Sequence, residues 1–286
     1  MIVKVSNGGD LLRDLMPTIT LGRTGLQVTR LGIGGAYGKE PDMYRQALDC
    51  GVNYIDLARE YLRGENEKIV GEALKGRSRQ DVIIATKSGK RTAEEMRKEL
   101  EISLRDLQTD YLDIWHSHAV MTRAELARQM GPGGGLEAQL KAKKEGLVRF
   151  IGVTGHDWSV LHEALSTGVF DVVLCWYNCA MREPEGMVFP VAAEQNMGVT
   201  LMSVARSTVL YANPGAPFKP DETDFYRYVL THPAPHVAMM GLRDVDRFRR
   251  TVAGLCRKMT LTEPEMRRME AYGAQFRAQD RLTLPF

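Results

Sequence analysis

Cysteine is scarce in this chain. Its 286 residues contain four, Cys50, Cys175, Cys179 and Cys256, and their scatter excludes a disulfide framework. Cys175 and Cys179 stand close together, but no second pair or histidine completes a metal set, so all four are expected as reduced thiols in a cytoplasmic protein and no metal is expected. No apolar run approaches the roughly 20 residues that cross a bilayer, so no membrane partner is expected. The opening MIVKVSNGGDLLRDLMP carries no secretory cleavage pattern. No basic run is interleaved with aromatics, and the formal charge is only +2, which gives no footprint for nucleic acid. The short runs Lys141 to Lys144 and Arg247 to Arg250 read first as solvated helix faces. A Gly-rich dinucleotide fingerprint is also missing: Gly34-Gly35-Ala36 is too weak for one, and Gly133 to Gly135 follow no strand. A doubly wound sheet usually opens with such a motif.

What is present is alternation. Short β-rich apolar runs at 31–34, 52–56, 82–86, 111–116, 148–153, 171–176, 198–203 and 236–240 are separated by stretches of helical period. Ala93 to Leu107 places Met96, Leu100, Leu104 and Leu107 on one helix face. Leu136 to Lys144 and Pro184 to Asn196 behave similarly. Eight strands, each followed by a helix, point to an α/β chain folded as a (β/α)8 TIM barrel. A Thr24-Gly25 turn flanked by strand-like pieces predicts a small hairpin closing the barrel floor. Residues 1–16 are expected to be an N-terminal extension, and 17–286 a single barrel domain.

Catalytic side chains of such barrels sit at the C-terminal ends of strands. Polar residues at those positions are Asp56, Lys87, the run His116-Ser117-His118, and Thr154-Gly155-His156, with Tyr61 in the loop five residues after Asp56. Each has a bland explanation alone: a helix cap, a rim charge, a loop aromatic, a satisfied structural histidine. Together on successive strands they form one coherent device. A phenol has an unperturbed pKa of about 10. A nearby ammonium lowers it, and Asp56 can hold Lys87 charged and in place. Tyr61 then serves as a general acid, while His118 donates a hydrogen bond to the same substrate oxygen. This suits protonation of a carbonyl oxygen as hydride reaches its carbon. No side chain supplies hydride, so a nicotinamide cofactor is implied.

These segments resemble the aldo-keto reductase family, over nearly all of the chain from Thr18. Tyr54 to Tyr61, with Gly64, Glu67 and Gly71 following, is similar to the family's Asp-to-Tyr motif. Ile84-Ala85-Thr86-Lys87 resembles the strand that carries its lysine. Asp110 to His118 resembles the motif that ends in its histidine, which by register is His118 and not His116. Gly146 to Thr154 matches the segment leading into the fifth strand. The resemblance implies the catalytic set Asp56, Tyr61, Lys87 and His118. It implies NADP(H) as cofactor, held by Thr154, Asn178, Met202, Ser203, Arg206, Gly241, Arg243 and Arg247. Arg243 and Arg247 are expected near the 2′-phosphate, where a guanidinium fork matches phosphate oxygens.

The second half departs from the family pattern. Thr154-Gly155 stands where the family usually has Ser-Asn. Leu174 replaces a frequent Gln, Met202 a stacking aromatic, and Val204 to Ser207 the usual Pro-Leu-Gly loop. Arg250-Thr251 stands where Glu-Asn usually contacts adenine. Thr-Gly-His after the fifth strand is closest to a bacterial and archaeal branch, some members of which carry a Cys-rich iron–sulfur extension; no such segment lies before Phe286. Tyr37, Trp115, His116 and Trp158 are expected to line the substrate pocket. The implied activity is NADP(H)-dependent interconversion of a small-molecule aldehyde or ketone with its alcohol. Two other readings stand beside it. One is a reductase-like module that binds cofactor with little turnover, favoured by the lost second-half contacts. The other is a metal-dependent hydrolase, prompted by His116-x-His118.

Overall fold

The structure is a computed structural model that describes residues 16–205, 210–211, 216 and 218–278. Two short strands, β1 (Thr18–Thr20) and β2 (Gln27–Thr29), pair as an antiparallel hairpin. Between them Gly25 adopts φ 71° at the end of a tight turn, a left-handed conformation that glycine enters at little steric cost. The hairpin's Leu21, Leu26 and Val28 pack with Tyr54, Ile83, Val172 and Val237 and plug the N-terminal mouth of the barrel, as the sequence suggested.

Eight strands follow: β3 (Leu31–Gly34), β4 (Tyr54–Asp56), β5 (Ile83–Ser88), β6 (Leu112–Ser117), β7 (Val148–Thr154), β8 (Val172–Trp176), β9 (Gly198–Met202) and β10 (Val237–Gly241). Each pairs in parallel with the next, and β10 closes on β3. All eight expected strands are present. The helices are α1 (Pro41–Asp49), α2 (Asn66–Leu74), α3 (Ala93–Leu107), α4 (Arg123–Met130), α5 (Gly135–Lys144), α6 (Trp158–Ser166), α7 (Pro184–Met187), α8 (Phe189–Glu194), α9 (Glu222–Thr231), α10 (Val245–Arg257) and α11 (Glu263–Ala278). The expected helix at 184–196 is broken in two. Pro190 lies in the first turn of α8, where it offers no N–H and its ring clashes with a continuing helix.

Strand alternation sorts the side chains. Inward-facing Tyr54, Ala85, Ile114, Phe150, Val172 and Met239 form the barrel interior. Outward-facing Ile55, Ile84, Trp115, Ile151, Val173 and Leu201 form a larger layer beneath the helices. Each fully buried Ile, Val or Leu in these layers contributes about 1.5–3 kcal/mol of transfer free energy. Caps fix where helices start. The Thr92 hydroxyl accepts from Glu95 N at the head of α3, and Thr122 and Asp221 form capping boxes ahead of α4 and α9; such caps are each worth about 1 kcal/mol.

Candidate active site

The C-terminal ends of β4, β5 and β6 bring Asp56, Lys87, Tyr61 and His118 to one side of the barrel mouth. Lys87 is fully buried. Its Nζ donates to Asp56 Oδ2 at 2.7 Å, to the Leu57 carbonyl at 2.6 Å and to Tyr61 OH at 3.3 Å, so all three ammonium donors are matched. Burial works against the ammonium, yet Asp56 and Tyr61 outweigh it and raise the Lys87 pKa. Burial raises the Asp56 carboxyl, opposed by Lys87. The pair at 2.7 Å is an ion pair.

Tyr61 corrects one expectation. Its pKa is raised, not lowered: burial of the phenol is the larger influence, and Lys87 pulls only against it. The lysine's effect is real in direction but does not prevail in the protein alone.

The loop after β4 is held from below. Glu67 is buried, takes the Thr86 hydroxyl at 2.5 Å and pairs with Arg59. Arg59 also reaches Asp106 at 3.1 Å. Gly71 packs against the Asp106 carbonyl so closely that a Cβ would collide with it. The motif positions Glu67 and Gly71 thus lock α2 and α3 under the tyrosine loop. Leu62 and Arg63 have φ of 51° and 57°, strain that this bracing supports.

Beside this group lies a cleft open to solvent. It runs from Asp56 and Tyr61 past Met202, Ser203, Val204 and Ala205 to Tyr37, Gly241, Arg243, Arg247 and Glu222. Gly34 and Gly241 are register partners on β3 and β10, and a Cβ on Gly241 would come within 2.6 Å of the Tyr37 ring. The floor of the cleft is therefore bare backbone. The Arg243 guanidinium lies 3.5 Å from the Tyr37 ring centroid, a cation–π arrangement. Arg247 pairs with the Glu222 carboxylate. Asp56 Oδ1 is buried without a hydrogen-bond partner among the described residues. A nucleotide fits this cleft: a sugar hydroxyl would satisfy Asp56, and the arginines would face phosphate.

Of the residues expected to hold cofactor, Met202, Ser203, Gly241, Arg243 and Arg247 line the cleft. Thr154 and Asn178 are buried and already engaged. The Thr154 hydroxyl accepts from Ala119 N at 2.8 Å. Asn178 Nδ2 donates to the Ser203 carbonyl at 3.0 Å, and its Oδ1 accepts from Ala180 N. Asn178 therefore holds Ser203, whose φ is 57°, in the cleft wall. Arg206 lies outside the described residues.

The expected substrate lining is only partly assembled. Tyr37 lies on the cleft. Trp115 is 1% exposed and faces outward into the layer under the helices, because it alternates with inward-facing Ile114; it is corrected to a core residue. His116 does face inward beside Lys87 but is fully buried against Gly152. Burial, and then the charges of Lys87 and His118, hold its pKa well below the ordinary value, so it is neutral. Trp158 is half-buried, and its Nε1 approaches the Trp176 carbonyl at 3.4 Å. The aromatic that sequence reading missed is Trp176. It stacks on His156 at 4.3 Å between ring centroids and shares the inner face with Met202 through the β8–β9 register. Strand period two gave the signal for it.

A (β/α)8 barrel with a tyrosine–lysine–aspartate–histidine rim beside an open cleft lined by backbone and arginines defines a class of barrel oxidoreductase. The model of the aldo/keto reductase family matches residues 36–224, and this chain belongs to that family, whose members are oxidoreductases using nicotinamide cofactors. It is similar to L-galactose dehydrogenase of Arabidopsis thaliana, 31% identical over 203 residues that cover 63% of this chain and 62% of the plant protein. It is also similar to the NADH-specific methylglyoxal reductase of Escherichia coli, 29% identical over 222 residues that cover 66% of this chain and 67% of that one. The chain thus matches about two thirds of the length of these relatives. Among solved structures, the holo form of an aldo-keto reductase from Bacillus halodurans is similar, with 26% identity, a TM-score of 0.77, and coverage of 90% of this chain and 96% of that one. Among the described residues, no helix is long and apolar enough to cross a membrane.

Proposed function

We propose that this protein reduces an aldehyde or ketone to an alcohol with Tyr61 as the proton donor, or runs the reverse reaction with Tyr61 accepting the proton. The observation that carries the reading is the Lys87 ammonium, buried and bound at once to Asp56 and Tyr61. A bound reduced nicotinamide supplies hydride to the carbonyl carbon. The chain's part is to hold the carbonyl oxygen between Tyr61 and His118 and to pass it a proton. As the O–H bond of Tyr61 breaks, the phenolate left behind is stabilised by Lys87, whose charge is kept by Asp56. The raised phenol pKa keeps the acid protonated through neutral pH, ready to donate.

The cofactor reading is NADP(H), with Arg243 the main contact to the 2′-phosphate. Arg243 has no carboxylate partner among the ion pairs of the described residues, whereas Arg247 is held by Glu222. That same Glu222 favours a second reading. A carboxylate in the cleft repels a 2′-phosphate and can accept from the ribose 2′-OH of NAD(H), as acidic residues do in dinucleotide folds. Steady-state consumption of NADPH and of NADH with a panel of aldehydes and ketones tests both. Turnover with at least one carbonyl, faster with NADPH, is expected. Tight cofactor binding with no turnover would replace the enzyme reading by a cofactor-holding module.

A further inference from the structure

His118 has a partner that the reaction above does not use. Its Nδ1 lies 3.0 Å from Glu60 Oε2. The other oxygen of Glu60 accepts from Gly89 N–H at 2.8 Å. A Cβ on Gly89 would crowd that oxygen and oblige the Glu60 side chain to shift. Burial acts to raise the Glu60 carboxyl, but the hydrogen bond and charge of His118, with backbone N–H groups, hold it down at about 2. Glu60 is thus an ionised carboxylate bound on both oxygens.

The backbone of His118 is fixed independently. Its N–H donates to the Ser88 carbonyl at 2.8 Å. Arg91 donates to the carbonyls of His118 and Ala119, each at 2.8 Å. The ring meets Tyr61 edge to face, with centroids 5.9 Å apart. What remains to be set is the proton on Nδ1, and among the described residues it is Glu60 that faces that nitrogen.

We infer that Glu60 is a positioning residue that keeps a proton on Nδ1 of His118 and turns Nε2 toward the substrate oxygen. This rests on the carbonyl-reductase reading of the site. An ionised carboxylate only accepts hydrogen bonds, so the nitrogen facing it must donate. A ring that donates from Nε2 as well then carries both protons, with Glu60 as its counter-ion, in the way a buried aspartate serves the histidine of a serine protease. In the reduction, Nε2–H donates to the carbonyl oxygen as charge builds there and keeps its proton. The proton that completes the alcohol comes from the breaking O–H bond of Tyr61. His118 is therefore a charge-assisted donor, stronger than a neutral imidazole.

Glu60→Gln is the discriminating change, because the amide has one oxygen for two donors. Gly89 N–H needs that oxygen, which leaves the NH2 facing Nδ1. An NH2 donates, so Nδ1 must become the acceptor and lose its proton, leaving a neutral ring that keeps only its Nε2–H. Nitrogen-15 NMR of the full-length, histidine-labelled protein reads this directly, with His118→Asn identifying the signals. The expected result is a protonated Nδ1 in the wild type and an unprotonated Nδ1 in Glu60→Gln. Turnover in Glu60→Gln should fall about 10-fold, the difference between a charged and a neutral hydrogen bond, with KM little changed. A wild type whose Nδ1 is unprotonated, or a Glu60→Gln protein whose Nδ1 stays protonated, overturns the inference. If the nitrogen switches as expected but the wild type reduces no carbonyl, the role of Glu60 stands and the reductase reading falls.

Discussion

The two sides of the barrel mouth are built differently. Where β4, β5 and β6 end, the charged groups are matched by partners from other elements: Lys87 by three acceptors, Glu67 by Thr86 and Arg59, and His118 by Glu60, while Asp56 Oδ1 and the His116 ring nitrogens are buried without partners among the described residues. Where β9 and β10 end, the wall is Met202, Ser203, Val204, Ala205 and bare Gly241, with two arginines at the far end. Thr154 and Asn178 serve the loops beside it. The contrast follows from what each side is proposed to do. Proton transfer needs charges fixed before the substrate arrives, since their effect depends on preorganisation. Holding a long nucleotide spreads its free energy over many contacts, several of them to backbone, so individual side chains there tolerate exchange.

The sharpest break of this contrast is on the first side. Tyr61→Phe keeps the ring and removes the acidic oxygen, and turnover should fall roughly 100- to 10,000-fold. Cofactor affinity, measured by calorimetric titration, should barely move. Near-wild-type reduction in that variant would dissolve the difference between the two sides.

Next in size is Lys87→Met. It leaves Asp56 buried without its partner, which typically costs about 3–5 kcal/mol and should appear in urea unfolding. Reduction should be largely lost. In any residual activity the basic limb of the pH profile should move upward. Reduction needs protonated Tyr61 and fails as pH rises through its pKa; Lys87 holds that pKa down against burial, so removing it shifts the loss to higher pH. An unchanged profile would make Lys87 a structural residue only.

The second side is sharpened by Arg243→Ala. Truncating one member of a buried charge pair costs about 2–5 kcal/mol, so NADPH binding should weaken strongly and NADH binding hardly at all. The exposed position of Arg243 over Tyr37 argues for the lower end. Equal loss for both cofactors would show that Arg243 does not read the 2′-phosphate. The smallest effect is Asp244→Ala, which removes the side-chain acceptor for Arg247 N at the start of α10. It should lower stability by about 1 kcal/mol in thermal unfolding and leave turnover intact.

The eight strands were legible because each is a compact apolar run between helical stretches, and the tetrad because Asp56, Lys87 and His118 stand at strand ends. Trp115 was misassigned for want of one step: alternation from Ile114, which faces in, sends Trp115 out. The same step applied to β8 finds Trp176. Glu60 was not legible. Its partner His118 is 58 positions away, and its other oxygen is held by the backbone N–H of Gly89, a contact that no side chain marks. The direction of the Tyr61 shift also needed the structure, because sequence shows the neighbouring charge but not the depth of burial that outweighs it. The pairing of Arg247 with Glu222 joins two elements that no local pattern connects.

The central claim is that this mouth performs carbonyl reduction and does not merely hold a nucleotide. The direct measurement is transfer of deuterium. Wild type and Tyr61→Phe are each incubated with reduced cofactor deuterated at the transferring position and with the best carbonyl from the panel, and the alcohol is analysed by mass spectrometry. The account predicts alcohol carrying deuterium on its carbinol carbon from the wild type, formed at least about 100-fold more slowly by Tyr61→Phe. Cofactor that binds both proteins with no deuterated alcohol from the wild type, or equal rates from the two, would contradict it.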